Sequence, residues 1–328
     1  MGVNMNKIKT SLKGIDRNST TLFSIIVIIF AVMSILAPKT FLSVTNLQGM
    51  GIQFSEFGIL AMGMLLAMIS GGIDLSLVGI ANLSGIVGSF VMIEMGGSVM
   101  SIFIGIIAAI LVGSLCGIFN GLLIGYLQIP PMLVTLCGLQ LYTGLGLLIT
   151  KGPALIGLPP AFSVIGNGTL LGIPIALIIF ILVVVFVSYL LNSTKYGQYV
   201  RFMGTNSTAS RYSGINNFKV TICTYGISGL LGSIGGIIMA SHYNSAKSDY
   251  GTSYTLLTLL IVVLGGTNPN GGYGKVSGVT LAIIVLQLIS SAFNILRVNS
   301  FIKTFVWGVL LLAIMVRARF LEKKQLAN

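Results

Sequence analysis

The chain has 328 residues, of which 55% are hydrophobic and only 7% charged, with a mean hydropathy of +1.01. A soluble domain carries about a quarter charged residues, so that class is excluded and the composition reads as an all-α polytopic membrane protein. The formal net charge of +12 comes from basic residues gathered mainly in the tails and one central loop, which fits orientation in a membrane and gives no reason to expect nucleic acid as a partner.

The N-terminal segment holds Lys7, Lys9, Lys13 and Arg17 and runs directly into LFSIIVIIFAVMSILA. No A-x-A cleavage pattern precedes Pro38 and apolar segments continue along the chain, so this run is expected to be an uncleaved first span with its N-terminus inside. Runs of about twenty apolar residues place spans near 21–37, 52–70, 77–95, 99–127, 131–150 and 173–191, then near 218–240, 253–266, 275–294 and 301–317. The total is about ten transmembrane helices. An even count returns the C-terminus to the cytoplasm, and Arg317, Arg319, Lys323 and Lys324 agree. We therefore expect a single transmembrane domain over 1–328, with cytoplasmic segments at 1–20, 192–217 and 318–328. The eighth run is short for a crossing, and the fourth is long enough to tilt or break.

Gly71 to Gly85, GGIDLSLVGIANLSG, interrupts the apolar sequence with paired glycines and the only aspartate between positions 17 and 248. An aspartate at the centre of a membrane helix costs about 2.5–3.5 kcal/mol. Two compatible readings follow: a broken helix lining the route of a polar solute, or Asp74 capping the third helix near the interface. The fourth run repeats small residues every four positions, Ser101, Gly105, Ala109, Gly113, Gly117, Gly121 and Gly125, which is a close-packing device between helices. Asn120 and Gln140 lie deep in their runs and either bond between helices or face the pathway. Residues 151–174 are rich in Gly and Pro yet too apolar for a free loop, so a folded-back segment on the outer side is expected.

The longest polar interruption is TKYGQYVRFMGTNSTASRYSGINNFKV, Thr194 to Val220, with Lys195, Arg201, Arg211 and Lys219 and no acidic residue. Asn206 is placed to cap a short helix and Gly214 to end it in the left-handed conformation, giving about 10 Å of helix outside the membrane between the sixth and seventh spans. Further on, Gln287, Ser290, Ser291 and Asn294 fall at i, i+3, i+4 and i+7 and share one face of the ninth span. Such a stripe points inward, either bonding to neighbouring helices or lining a path for a neutral polyol.

The pattern Gly204, Asn206, Ala209, Arg211, Ser213, Gly214, Ile215 resembles the cytoplasmic coupling segment of permeases in ribose-type ABC importers. Gly71 to Ser76 matches their GGIDLS signature, with Leu83, Ser84 and Gly85 in register. VLGGTNPNGGYGKVSG, Val263 to Gly278, and SSAFNILRVNSFIK, Ser290 to Lys303, resemble their later helices. The chain departs at Ser210, where relatives place a second alanine, and at Leu77, Val78 and Gly79, where they often have Val-Gly-Ser. The resemblance implies a subunit of a prokaryotic inner membrane, working as a dimer with a second copy or a sister permease. It also implies a cytoplasmic ATPase subunit as partner and an extracytoplasmic solute-binding protein. By that resemblance Gly204, Asn206, Ala209, Arg211, Gly214 and Ile215 meet the ATPase, while the polar residues Asp74, Asn82, Asn120, Gln140, Gln287 and Asn294, set within apolar sequence, are the candidates to line the path.

Lys275 is followed by Val276 and position 269 is Pro, so no Walker A loop is present and ATP is expected to be used by the partner subunit, with no cofactor or metal on this chain. Cys116, Cys137 and Cys223 lie in apolar runs without CxxC spacing. His242 is the only histidine and the six acidic residues are scattered, so acid–base, triad or metal chemistry lacks parts. A membrane transferase would need the acidic or histidine clusters that are missing. An ion-driven secondary transporter remains as the alternative, with Asp74 and Glu56 as its acids. Ribose, galactose, xylose, rhamnose, inositol and sugar-like signalling molecules all remain open as solutes.

Overall fold

The structure, a computed structural model, describes residues 17–299, 301–303, 305–313 and 316. The basic residues expected to mark the ends, Lys7, Lys9 and Lys13 and then Arg317, Arg319, Lys323 and Lys324, lie outside these. Among the described residues eight helices are long and apolar enough to cross a membrane. They are α1 (Arg17–Leu36), α3 (Val44–Ile69), α4 (Leu77–Glu94), α5 (Val99–Gly125), α6 (Pro131–Thr150), α8 (Ile175–Ser193), α11 (Asn217–Tyr243) and α13 (Val276–Ile295). Shorter helices fill the intervals: α2 (Pro38–Phe41), α7 (Pro160–Asn167), α9 (Lys195–Thr205), α10 (Ser207–Tyr212) and α12 (Tyr254–Leu264). Residues 301–303 and 305–313 are also helical.

The eighth expected span is the element that differs most from a simple crossing. Helix α12 has 11 residues, about 16 Å at 1.5 Å per residue, roughly half of an apolar core about 30 Å thick. The chain ahead of it folds back into the bundle instead of starting at the surface. Strand β2 (Ser245–Ala246) pairs antiparallel with β1 (Leu155–Ile156), and Asn82 donates to the carbonyls of Ser248 and Tyr250 at 2.8 and 2.9 Å. These bonds satisfy irregular backbone where it is buried in protein, the condition for finding it at depth. The segment after Lys151 is folded back as its composition implied: α7 packs on α11, with Ser241 Oγ donating to Phe162 O at 2.6 Å and Gly166 N donating to Ser241 Oγ at 2.7 Å.

Helix α3 is the most enclosed span, with 83% of its apolar window buried, and it packs against α8, α11, α12 and α13. Helix α5 runs unbroken for 27 residues, about 40 Å, longer than an apolar core of about 30 Å. Its stripe of small residues is where backbones meet. Cβ atoms built on Gly113 and Gly117 would lie 2.7 and 2.1 Å from the carbonyl oxygens of Gly229 and Tyr225 on α11. Space for one methyl group is absent along that seam, so the packing reading of the stripe holds.

All connections fall at two ends. One end gathers the turns at 70–76, 126–130, 194–216 and 265–275, and there Lys195, Arg201, Arg211, Lys219 and Lys275 face a single acid, the buried Asp74, among the described residues. The opposite end mixes Lys39, Lys151, Lys247, Arg297 and Lys303 with Glu94 and Asp249.

Candidate functional site

Three side-chain caps divide the basic loop into consecutive helices. Thr194 Oγ1 accepts from Gly197 N at 3.3 Å to start α9, Asn206 Oδ1 from Ala209 N at 2.9 Å to start α10, and Asn216 Oδ1 from Lys219 N at 3.1 Å to start α11. The capped helix expected after Asn206 is present, six residues long, and Gly214 follows it at φ +82°. Helix α9 was not anticipated from sequence. Its signal was there: Thr194 as cap, and Tyr196, Val200 and Met203 at i, i+4 and i+7, of which Val200 and Met203 are buried.

Helix α10 is fixed beneath and open above. Ser210 is buried and its hydroxyl donates to Asn217 Oδ1 at 2.8 Å, while Asn217 Nδ2 donates to Ser207 O at 2.7 Å. The serine that stands in place of an alanine thus ties the short helix to the first turn of α11. Ala209, Arg211 and Gly214 are exposed and Ile215 is half-buried. Tyr212, which sequence reasoning passed over, is 89% exposed and projects from the same surface.

The other end of this unit is Gly204, in the last turn of α9, where three turns converge. A Cβ there would sit 1.9 Å from Ile69 O and 2.6 Å from Gly272 N. Gly272 N donates to Ile69 O at 2.9 Å and Arg201 Nη1 donates to Gly274 O at 3.0 Å. The paired glycines ahead of Asp74 and the glycine-rich turn after α12 are therefore in direct contact with the segment that carries α10.

Asp74 begins a buried network just inside that contact. Oδ1 accepts from Ser76 N at 3.1 Å and Ser76 Oγ at 2.6 Å, and Oδ2 accepts from Ser228 Oγ on α11 at 2.7 Å. Asn120 on α5 donates to Ser76 Oγ at 2.8 Å and accepts from Tyr142 on α6 at 2.7 Å. The carboxylate caps the approach to α4, three residues ahead of its first residue, and ties four elements together. Burial raises its pKa, against which the hydrogen bonds from Ser76 and Ser228 act.

A separate cavity of about 360 Å³ opens on the polar face of α13, lined by Gln287, Ser290 and Asn294 with Gln53 and Phe57 of α3, His242, Tyr254 and Trp307. Behind three of its lining residues the fully buried Glu56 accepts from His242 Nδ1 at 2.5 Å, Tyr254 OH at 3.0 Å and Tyr243 OH at 3.2 Å.

The family model described as the permease component of the branched-chain amino acid transport system matches residues 46–315. This chain belongs to that permease family. The L-arabinose transport system permease protein AraH of Escherichia coli is 31% identical, the alignment covering 97% of this permease and 98% of AraH. The ribose import permease protein RbsC of Bacillus subtilis is 35% identical, over 87% of this permease and 88% of RbsC. The autoinducer 2 import system permease protein LsrD of an Enterobacter strain is 30% identical, over 94% and 95%. No solved structure matches the permease.

Of the six residues singled out for a path, the permease brings Gln287 and Asn294 together at the cavity. Asp74 and Asn120 share the buried network, Asn82 holds the backbone ahead of α12, and Gln140 is exposed on the outer surface of α6. The pairing of Glu56 with His242 spans 186 positions and left no local pattern. The only available signal was chemical, since an intramembrane acid needs a partner and the chain offers one histidine.

Proposed function

We propose that this permease is the membrane-spanning subunit of an ABC importer for a simple sugar or a related small polar solute, driven by a separate cytoplasmic ATPase. The solute class is carried over from the arabinose, ribose and autoinducer 2 systems named above, which align over nearly the whole chain. The observation that carries the mechanism is the exposed, capped helix Ser207–Tyr212, joined within one short segment to Gly204 and the two glycine turns packed on it. A force applied to the exposed face of α10 reaches the start of α4, the end of α12 and the start of α13 through backbone contacts, with no flexible side chain between.

The end of the bundle that carries α10 is the cytoplasmic one in this reading, supported by the cluster of Lys195, Arg201, Arg211 and Lys219 in one segment with no acidic residue. Both termini then face the cytoplasm of a prokaryotic cell. ATP binds on the partner subunit, a solute-binding protein delivers the solute at the opposite face, and a second copy or a sister permease completes the pathway. The test is uptake by proteoliposomes containing the permease, its ATPase and a loaded binding protein. Uptake that requires enclosed ATP supports the reading, and uptake driven equally by an ion gradient without ATP contradicts it.

A further inference from the structure

Helix α6 lies at the edge of the bundle, packed chiefly on α4 and largely exposed. Gln140 is the tenth of its 20 residues, about 15 Å from either end at 1.5 Å per residue, which is the middle of an apolar core about 30 Å thick. Its side chain is exposed and has no hydrogen-bond partner among the described residues. A primary amide carries two donor hydrogens and an acceptor oxygen, and lipid tails satisfy none of them. Exposed positions on the central turns of α5 and α8 are apolar by contrast: Ile107, Leu111 and Leu115 on the first, Leu182, Val185 and Phe186 on the second. Those two faces suit lipid, and the face of α6 does not.

Gln140 also belongs to a regular stripe. Leu133, Gln140 and Leu147 recur every seven residues, Leu136 falls three after the first, and all four are exposed. A repeat of this kind is the seam along which two helices pack, and one amide at a single position of such a seam fixes their register and number. Leucines above and below the amide fit a helix as the neighbour better than a column of water. Two copies inserted in the same direction are related by an axis along the membrane normal, which keeps every residue at its own depth. A helix that meets its own copy across that axis therefore brings Gln140 to Gln140. The amide is self-complementary, each N–H donating to the other carbonyl oxygen, the kind of bond that joins helices within a membrane.

We propose that the outer face of α6 is the surface on which a second copy of this chain docks, with the two Gln140 amides bonded to each other across a two-fold axis and Leu133, Leu136 and Leu147 packed around them. The pairing of two permeases rests on the importer reading, whereas the face and its amide pair are independent of the ATPase.

The test places one cysteine at a time in a chain whose Cys116, Cys137 and Cys223 are alanine, expressed as the only permease, and treats the membranes with copper phenanthroline. Gln140→Cys should give a disulfide-linked dimer, and so should Leu147→Cys, which lies one repeat further on and keeps the glutamine. Leu115→Cys on α5 and Leu182→Cys on α8 should give none. In detergent, with energy transfer between labelled copies as the readout, Gln140→Leu should raise the dissociation constant of the dimer about fivefold or more, and Gln140→Asn, which keeps donor and acceptor, should raise it less. Linkage through α5 or α8 instead, no linkage at either position on α6, or a dissociation constant unchanged by Gln140→Leu would overturn the surface. If ATP-driven uptake persists alongside any of those outcomes, the importer reading stands and only the surface falls. If α6 links two copies but uptake needs no ATP, the surface stands and the importer reading falls.

Discussion

Replacing Gly204 with alanine introduces one methyl group at the point where three turns touch. The new carbon would lie 1.9 Å from Ile69 O and 2.6 Å from Gly272 N, both backbone atoms, so a turn must move by more than about 1 Å to restore an ordinary contact of about 3.5–4 Å. Overpacking of this kind costs about 1–3 kcal/mol. The shift also separates Gly272 N from Ile69 O, a 2.9 Å bond whose loss adds about 1–2 kcal/mol where the donor is left unsatisfied. Together these come to about 2–5 kcal/mol, or a factor of about 30 to several thousand in the equilibrium between joined and separated turns. The expected phenotype is a permease present in the membrane at normal abundance whose ATPase still turns over but whose uptake per ATP falls at least tenfold. Gly144→Ala is the control, because nothing lies within 4 Å of a Cβ there, and helix propensity makes it neutral or stabilising by about 1 kcal/mol. Equal uptake per ATP in Gly204→Ala and the parent, at equal abundance, would refute the transmission through this contact.

Gly214→Val should reduce uptake more than Gly214→Asn, since φ +82° leaves a β-branched residue strained by about 1–2 kcal/mol while the site has open space around it. Equal effects of the two, read as transport rate at matched expression, would show that backbone conformation is not the cause. Asp74→Ala should lower the melting temperature in detergent more than Asp74→Asn, because it leaves the buried Ser76 N–H and the Ser228 hydroxyl without an acceptor, about 1–3 kcal/mol for each group. Indistinguishable melting temperatures would contradict the bonding role. Ala209→Trp, at an exposed position of α10, should leave the melting temperature of the permease unchanged and reduce co-purification with the ATPase, and undiminished co-purification would count against α10 as the docking helix.

The long apolar runs made the spans legible, because a twenty-residue requirement set by the bilayer leaves little freedom, and Asn206 and Gly214 marked α10 through capping chemistry that acts over three residues. Helix α9 was missed because the density of basic residues masked its Tyr196, Val200 and Met203 stripe. The shortness of α12 was visible as a short run, but the fold that replaces its first half depends on Asn82 reaching Ser248 and Tyr250, a contact with no local signature. The same holds for the site. Gln287, Ser290 and Asn294 declared themselves by spacing on one helix, whereas Gln53 and the pairing of Glu56 with His242 come from elements brought together only by packing. Glycine identity marked Gly71, Gly204 and Gly271 individually, and only the folded chain shows that they touch.

The most direct test is the side of the membrane on which α10 lies and what covers it. In a chain with Cys116, Cys137 and Cys223 replaced by alanine, Ser207→Cys supplies a single exposed thiol on that helix. An impermeant maleimide should label it in inverted vesicles stripped of the ATPase, leave it unlabelled in intact cells, and lose access when the ATPase is added back. Labelling in intact cells, or labelling of inverted vesicles that the ATPase does not diminish, would contradict a drive applied to Ser207–Tyr212 from the cytoplasm.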